Sequence, residues 1–247
     1  MAQSKMVDQQ TSGIFLTAEW RELAMLNYEV DPGLLRRFVP SGTELDSWNG
    51  RTFLSLVGFR FLKAKVWGLS LPFCRNFEEV NLRFYVRRSE GNQAPRGVVF
   101  IREIVPRWLI AAVARSFYNE RYVALPMSHE IRRDSSGLAV EYLWRYGTSR
   151  NTIKISAKGP SVLPESGSQE QFITEHYWGY AAQRDGGCIE YQVQHPPWRV
   201  WATSDAGFSG DMQELYGKEL NAVLNGPPAS AFLAEGSAVT VYRGRRL

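Results

Sequence analysis

The sequence predicts an α+β protein, mainly an antiparallel β-sheet that curls or closes into a barrel, with flanking helices outside. Roughly ten short stretches are rich in β-branched and aromatic residues and are bounded by turn-forming residues, which is typical of strands. Only three or four stretches resemble helices, and they do not alternate with strands as in a parallel sheet. The 247 residues contain no repeat and no shift in composition, so we expect one domain over residues 14–247.

Most of the predicted elements are strands. They are read from alternating or continuous apolar runs at residues 25–30, 52–62, 75–88, 97–105, 122–125, 138–146, 152–157, 177–183, 188–194, 198–203 and 230–243. The dipeptide Asn49-Gly50 gives the strongest signal for a hairpin turn.

Four stretches carry helix signals. Asp31 as N-cap and Pro32 at the first helical position predict a short helix over residues 32–38. Residues 107–117 carry an apolar stripe, and the capping-box spacing from Ser168 to Gln171 predicts a brief helix to residue 173. Residues 211–224 predict one amphipathic helix, which ends at the following Asn-Gly-Pro-Pro.

Composition and charge favour a globular protein of the cytoplasm. The chain is 44% hydrophobic and 22% charged, and no run of about 18 apolar residues predicts a membrane span. Residues 1–13 are polar and lack the apolar core of a secretion signal, so we expect a disordered tail. Cys74 and Cys188 lie far apart, which favours free thiols in a reducing compartment. The net charge of +4 is spread along the chain, unlike that of a nucleic-acid-binding protein.

The strand at residues 75–88 has two very different faces. At strand period, Val80 and the alternate residues to Val86 fall on one face, and Glu79, Asn81 and Arg83 fall on the other. The polar face either meets solvent, with ion pairs to neighbouring strands, or lines a pocket inside a curled sheet. Residues two apart on a strand are about 6.5 Å apart, so Asn81 could share one bound polar molecule with either charged neighbour.

The run from Glu175 to Tyr180 combines an acid, an imidazole and aromatic rings. His176 could act as a general acid or base with a carboxylate to orient it, and Tyr180 could contact a ligand. The alternative is that His176 has a structural role beside the aromatic rings. We assign no chemistry to His195, which lies in a rigid His-Pro-Pro-Trp connection.

Motifs for metals, nucleotides and nucleophilic serines are missing from the sequence. The three histidines lack the spacing of metal ligands, and no G-x-G-x-x-G, P-loop or G-x-S-x-G motif occurs. We therefore expect no metal site and no cofactor.

Five runs of sequence resemble the YqjF-like family of uncharacterised bacterial proteins: residues 15–21 (FLTAEWR), 76–83 (NFEEVNLR), 118–120 (YNE), 175–180 (EHYWGY) and 195–198 (HPPW). That family belongs to the acetoacetate decarboxylase-like superfamily. The resemblance therefore implies a closed, cone-shaped β-barrel with a central pocket and flanking helices.

The resemblance also implies a set of pocket residues. The decarboxylases form a Schiff base on one of two neighbouring lysines in a Tyr-Pro-Lys-Lys pattern, whereas this chain has Leu125-Pro126-Met127-Ser128. Both lysines are missing, so imine chemistry is not expected. Arg21 and Glu79 match the pocket arginine and carboxylate, and an alignment shifted by one residue would substitute Glu78 for Glu79. His129, close to the missing lysines, could handle protons or could be an exposed loop residue.

These observations predict a barrel pocket for a small anionic or carbonyl-bearing molecule. Arg21 and Arg83 would hold the anion, Glu79 would act as acid or base, and Asn81 would orient the ligand, in lyase or hydrolase chemistry without a Schiff base. One alternative is a ligand-sensing or interaction module that has lost the reaction. Another is a structural homo-oligomer in which residues 211–224 or 237–242 pair between subunits.

Overall fold

The protein is described here by a computed structural model over residues 13–70, 74–88, 95–108, 121–135 and 137–247. Its strands are β1 (Ile14–Glu29), β2 (Thr43–Leu45), β3 (Phe53–Val66), β4 (Phe77–Arg88), β5 (Arg96–Val105), β6 (Tyr122–Ala124), β7 (Met127–Asp134), β8 (Gly137–Tyr146), β9 (Ser149–Ala157), β10 (Trp178–Ala182), β11 (Cys188–Gln194), β12 (Val200–Ser209), β13 (Ser230–Tyr242) and β14 (Arg245–Arg246). The helices are α1 (Pro32–Leu35), which continues into a 3-10 turn at Arg36–Phe38, α2 (Gln169–Thr174), α3 (Gln213–Tyr216) and α4 (Lys218–Leu224).

Seven strands form a closed ring, which we call the ring throughout. Hydrogen-bonded neighbours follow the order β11, β10, β5, β4, β3, β1 and β13, and β13 pairs back with β11. Neighbouring strands of the ring are antiparallel except β10 and β5, which are parallel. The predicted fold class, a mainly antiparallel sheet that closes on itself, is therefore confirmed.

An outer layer covers one side of the ring. Strands β7, β8 and β9 continue from the ring through β12, and α3 and α4 lie beside them. Outward-facing side chains of β4, such as Leu82 and Phe84, share a buried cluster with Tyr142 and Leu220 of this layer. Inward-facing side chains form a second cluster inside the ring. The ring wall is therefore apolar on both faces, as expected for a sheet between two layers.

A bulge changes which residues of β1 face inward. The register of β1 against β3 shifts between Arg21 and Ala24, and Glu22 has a left-handed backbone with φ of 49°. An extra residue in one strand breaks the strict alternation of faces. As a result, Trp20 and Leu23, three residues apart, both face the inside of the ring.

The structure differs from the prediction in several elements. The strand predicted over residues 25–30 begins earlier, at Ile14. The helix expected over residues 211–224 is wrong as a single helix, because Gly217 has φ of 88° and ψ of 162° and separates α3 from α4. Strand β7 was not predicted, because its charged, exposed sequence resembles a loop more than a strand. Almost all of the predicted helix at 107–117 and of the predicted tail at 1–13 lies outside the described residues. Among the described residues, no helix has the length and apolar character needed to cross a bilayer.

Candidate functional site

The ring encloses a cavity of about 140 Å³. Each of the seven ring strands contributes at least one side chain to its lining. Cys74, Tyr122 of β6, the end of α2 with the following His176, and the connection that carries His195 and Trp198 complete the wall. The cavity therefore exists because the sheet closes, and it collects side chains from distant parts of the chain.

The polar face of β4 lies inside this cavity. Glu79, Asn81 and Arg83 line it, and their exposed fractions are 3%, 1% and 7%. The intervening Val80 and Leu82 point into the outer cluster, as strand alternation requires. Of the two explanations open from the sequence, the structure therefore has the enclosed pocket and not the solvated face.

Glu79 is the central acid of the cavity. The Asn81 amide donates to one of its carboxyl oxygens at 3.1 Å, and the Tyr122 hydroxyl donates to the other at 3.3 Å. Burial raises the pKa of Glu79 to about 7, although these hydrogen bonds and the charge of Arg83 act in the opposite direction. The group can therefore both give and take a proton near neutral pH.

Tyr122 joins Glu79 to a second buried acid. Its hydroxyl also hydrogen-bonds Glu103, which lies opposite Asn81 in the β4–β5 ladder and lines the cavity. Burial, with the charges of Glu103 and Glu79, raises the pKa of Tyr122 well above its usual range. The phenol therefore keeps its proton and can act as a hydrogen-bond donor in the cavity.

Arg83 is the cation of the cavity. It forms no ion pair with any residue that the structure describes, and its buried Nε has no hydrogen-bond partner there. The Oδ1 atom of its neighbour Asn81 also lacks a partner in the described ranges. A buried guanidinium without a counter-ion is costly, because its lost hydration is not replaced. The arrangement suits an anion that also accepts or donates hydrogen bonds.

His176 is held by an aspartate. Its Nε2 lies 3.4 Å from Asp46, which also accepts a 2.6 Å hydrogen bond from Arg96. Burial favours protonation of Asp46, but the hydrogen bonds from His176 and Arg96 outweigh it and lower its pKa to about 2. Because this carboxylate can only accept, Nε2 carries the hydrogen and Nδ1 is the acceptor. Burial lowers the pKa of His176 to about 4, so the ring is neutral at pH 7.

His195 is a cavity residue that sequence reasoning missed. Its ring stacks on Trp198 at 4.1 Å, and its Nδ1 donates to the Pro196 carbonyl at 2.9 Å. Burial lowers its pKa to about 4, with a smaller contribution from the positive charge of Arg83. No local sequence signal separates this histidine from a structural one, since its role depends on the closure of the ring.

Glu103 and Tyr122 were also missed. The charged pair Arg102 and Glu103 in the otherwise apolar strand at 97–105 was the available signal for Glu103, because a charged residue needs a polar partner when buried. Tyr122 lies on a three-residue strand and carries no comparable signal.

The structure places Arg21 outside the cavity. Because Trp20 faces inward and adjacent strand residues face opposite sides, the Arg21 side chain points away from the cavity. It pairs with Glu19 at 2.9 Å and is 37% exposed. Arg21 therefore does not occupy the pocket position that the resemblance to the decarboxylases implied for it.

Three further residues that were predicted to contact a ligand, Glu78, His129 and Tyr180, also lie outside the cavity. Glu78 faces the opposite side of β4 from Glu79 and pairs with His129 of β7 at 2.6 Å. Of the two glutamates left open by the alignment, the cavity residue is therefore Glu79. Tyr180 is fully buried in the outer cluster, where its hydroxyl donates to Glu190 at 3.1 Å.

No lysine lines the cavity in the part of the chain that the structure describes. Met127 and Ser128, which stand where the decarboxylases have lysines, lie on β7 outside it. Within the described ranges, no three His, Cys, Asp or Glu side chains cluster as a metal site would require. The polar groups that line the cavity can supply hydrogen bonds, charge and proton transfer.

Several solved structures share this fold. Acetoacetate decarboxylase from Legionella pneumophila superposes with a TM-score of 0.70 at 13% identity, covering 96% of this chain and 88% of that one. An acetoacetate decarboxylase-like enzyme from Sphingomonas wittichii RW1 gives 0.64 at 10% identity, with 95% and 94% covered. The enduracididine biosynthesis enzyme MppR complexed with pyruvate gives 0.65 at 12% identity, with 98% and 93% covered. At these identities the similarity shows the acetoacetate decarboxylase-like fold alone.

Sequence comparison gives the family. The chain is 28% identical over 191 residues to "Uncharacterized protein YqjF" of Bacillus subtilis (strain 168), which is 75% of each protein. The family model DUF2071, described as an uncharacterized conserved protein, matches residues 17–238. Since that match covers nearly the whole chain, the protein belongs to the DUF2071 family.

Proposed function

We propose that this protein binds a small carboxylate with a neighbouring carbonyl group inside the ring and transfers protons to or from it. The observation that carries the proposal is the buried Arg83, a cation without an ion pair among the described residues, in the same cavity as Glu79. An arginine in this setting favours a carboxylate, which its two parallel N–H groups can hold.

The cavity limits the size of the ligand. A cavity of about 150 Å³ holds a benzene molecule, so the 140 Å³ found here suits a ligand of similar size. Small keto acids have this size. MppR, which shares the fold, has been solved with pyruvate bound.

Proton transfer is the chemistry that best fits the remaining groups. The carboxyl group of Glu79 has its pKa raised to about 7 and can accept a proton from a carbon next to the carbonyl. Tyr122 keeps its phenolic proton, and by turning its single O–H from Glu79 toward the ligand it can donate a hydrogen bond to the oxygen on which negative charge develops. A covalent imine is not part of the proposal, because no described lysine lines the cavity.

Titration calorimetry with pyruvate and α-ketobutyrate tests the binding. Arg83→Gln removes the buried cation, and Arg21→Gln removes a cation outside the cavity as a matched control. Loss of a charged hydrogen bond costs about 1.5–3 kcal/mol, so Arg83→Gln should bind roughly 10- to 100-fold more weakly. Arg21→Gln should bind as the wild type does. Equal affinity of wild type and Arg83→Gln, or no binding by the wild type, would refute the proposal.

A second function, ligand sensing without turnover, is favoured by the absence of a lysine from the described lining. The two functions differ in one observable. When α-ketobutyrate is incubated with the protein in D₂O, a proton-transferring enzyme exchanges the hydrogens next to the carbonyl, and a sensor leaves them in place. Proton NMR distinguishes the outcomes, and Glu79→Gln should abolish the exchange without abolishing binding.

A further inference from the structure

The cavity has one wall that is mainly apolar. Strands β1 and β3 contribute aromatic and aliphatic side chains, which we call the apolar wall: Phe15, Leu16, Trp20, Leu23, Phe59, Phe61, Ala64 and Val66. The Trp20 indole N–H is the one polar group of these side chains, and it is buried without a partner among the described residues. The charged residues of the cavity come from the neighbouring strands β4 and β5, and two uncharged histidines come from the connections that follow α2 and β11. A ligand that were polar all round would leave half of its surface against hydrocarbon without hydrogen bonds.

The apolar wall lies directly beside the acid. Phe59 is paired with Glu79 across the β3–β4 ladder, and Phe61 is paired with Phe77 in the same register. Neighbouring strands are about 4.8 Å apart, so a group bound next to Glu79 also contacts this wall. The Phe61 and Phe77 rings stack at 4.6 Å and give the wall a flat, packed surface.

The wall continues to the protein surface. Val66 lines the cavity, and the next residue, Trp67, is 47% exposed while its ring contacts Phe15 at 5.5 Å. Leu69 in the same turn is 70% exposed. An apolar path therefore leads from solvent into the apolar side of the cavity.

Building on the function proposed above, we infer that the site selects small keto acids that carry a compact, branched aliphatic group. The carboxylate lies against Arg83, the carbonyl side faces Glu79 and Tyr122, and the aliphatic group packs on the apolar wall. Each methylene buried there improves affinity by about fourfold. The cavity volume of about 140 Å³ favours a compact group over a large aromatic one beside the carboxylate.

Calorimetry with pyruvate, α-ketobutyrate and α-ketoisovalerate tests the inference. For the wild type we expect affinity to rise along this series, by about fourfold at each added carbon. Ala64→Leu fills part of the apolar wall and should remove most of that rise, so that the affinities for pyruvate and α-ketoisovalerate differ by no more than about fourfold.

The outcomes separate this inference from the proposed function. If pyruvate binds as tightly as α-ketoisovalerate, or more tightly, the inference is wrong and the proposed function stands. If none of the acids binds the wild type, the proposed function itself fails. A rise that persists unchanged in Ala64→Leu would also overturn the inference. If that variant does not fold, Leu16→Ala should lower the ratio of α-ketoisovalerate affinity to pyruvate affinity by about fourfold or more.

Discussion

Burial has opposite effects on the two kinds of titratable group in the cavity. It raises the pKa of Glu79 to about 7 and lowers that of His176 and His195 to about 4. In each residue the charged form is disfavoured, because hydration is lost and only partly replaced. At neutral pH both imidazoles are therefore uncharged, and Arg83 faces them with its charge intact. Its charge is what a ligand anion would meet.

Replacing Glu79 tests whether burial raises the pKa of its carboxyl group. Its pKa of about 7 in the folded protein lies above the ordinary 4.5, so the folded state binds more protons and stability falls as pH rises between these values. Glu79→Gln removes that loss. We expect the variant to match the wild type near pH 4.5 and to be more stable by roughly 2–3 kcal/mol at pH 8, measured by urea unfolding.

Glu78→Gln is the matched control for this change. Glu78 is the adjacent glutamate, and its carboxylate pairs with His129 outside the ring. The Glu78→Gln variant should be no more stable than the wild type near pH 4.5 or at pH 8. A Glu79→Gln variant that is no more stable than the wild type at pH 8 would contradict a buried Glu79 with a raised pKa.

His176 should titrate with the opposite sign. Its pKa in the folded protein, about 4, lies below the ordinary 6.5, so its contribution to stability is present above pH 6.5 and is lost as pH falls toward 4. His176→Gln keeps a donor for Asp46 and removes the titration. Because His195 titrates in the same range, we expect the acid-induced loss of unfolding free energy from histidines to fall by about half.

Urea unfolding between pH 6.5 and 4 measures this slope. The double variant with His195→Gln should remove the remaining histidine contribution. The account of His176 as a buried neutral ring would be wrong if the single variant had the same slope as the wild type.

At the scale of elements, the alternation of inward- and outward-facing side chains along a strand could be predicted from the sequence. Bulges and breaks that interrupt a strand or helix could not. The two faces of β4 follow directly from period-two spacing, and the structure has both as the sequence suggested. The bulge at Glu22 leaves no such pattern, because its φ of 49° is adopted by a residue with no turn preference. The break at Gly217 was visible only as one glycine in an otherwise helical stretch.

Gly236 shows how tightly the bulged region is packed. It lies opposite Arg21 in the β1–β13 ladder with φ of 74°, and a Cβ there would lie 2.0 Å from the Trp20 carbonyl oxygen. Gly186 has a similar φ of 83° but has no atom within 4 Å of a Cβ. Alanine at either position meets the left-handed backbone cost of about 1–2 kcal/mol, and only Gly236→Ala adds the clash.

We therefore expect Gly236→Ala to lower the free energy of unfolding by at least about 2 kcal/mol more than Gly186→Ala. Denaturant melts of the two variants give this difference. Equal losses would mean that β1 and β13 have room at the bulge, and that Trp20 is not fixed there.

For the whole molecule, the site depends on closure of the ring. Arg83 and His195 are far apart in sequence, and they meet because β13 pairs with β11 through Val193 and Val241. A single sequence gives no measure of which distant strands pair, so His195 and Tyr122 could not be assigned to the site in advance. The resemblance to a family supplied the barrel, but it also placed Arg21 in the pocket, where the local alternation of β1 does not allow it.

The most direct test is a crystal structure of the protein with α-ketoisovalerate at saturating concentration. The account predicts the acid inside the ring, with its carboxylate oxygens within hydrogen-bond distance of the Arg83 guanidinium and its aliphatic group against Phe59 and Phe61. A cavity that holds only water under these conditions, or an acid bound elsewhere on the protein, would contradict it.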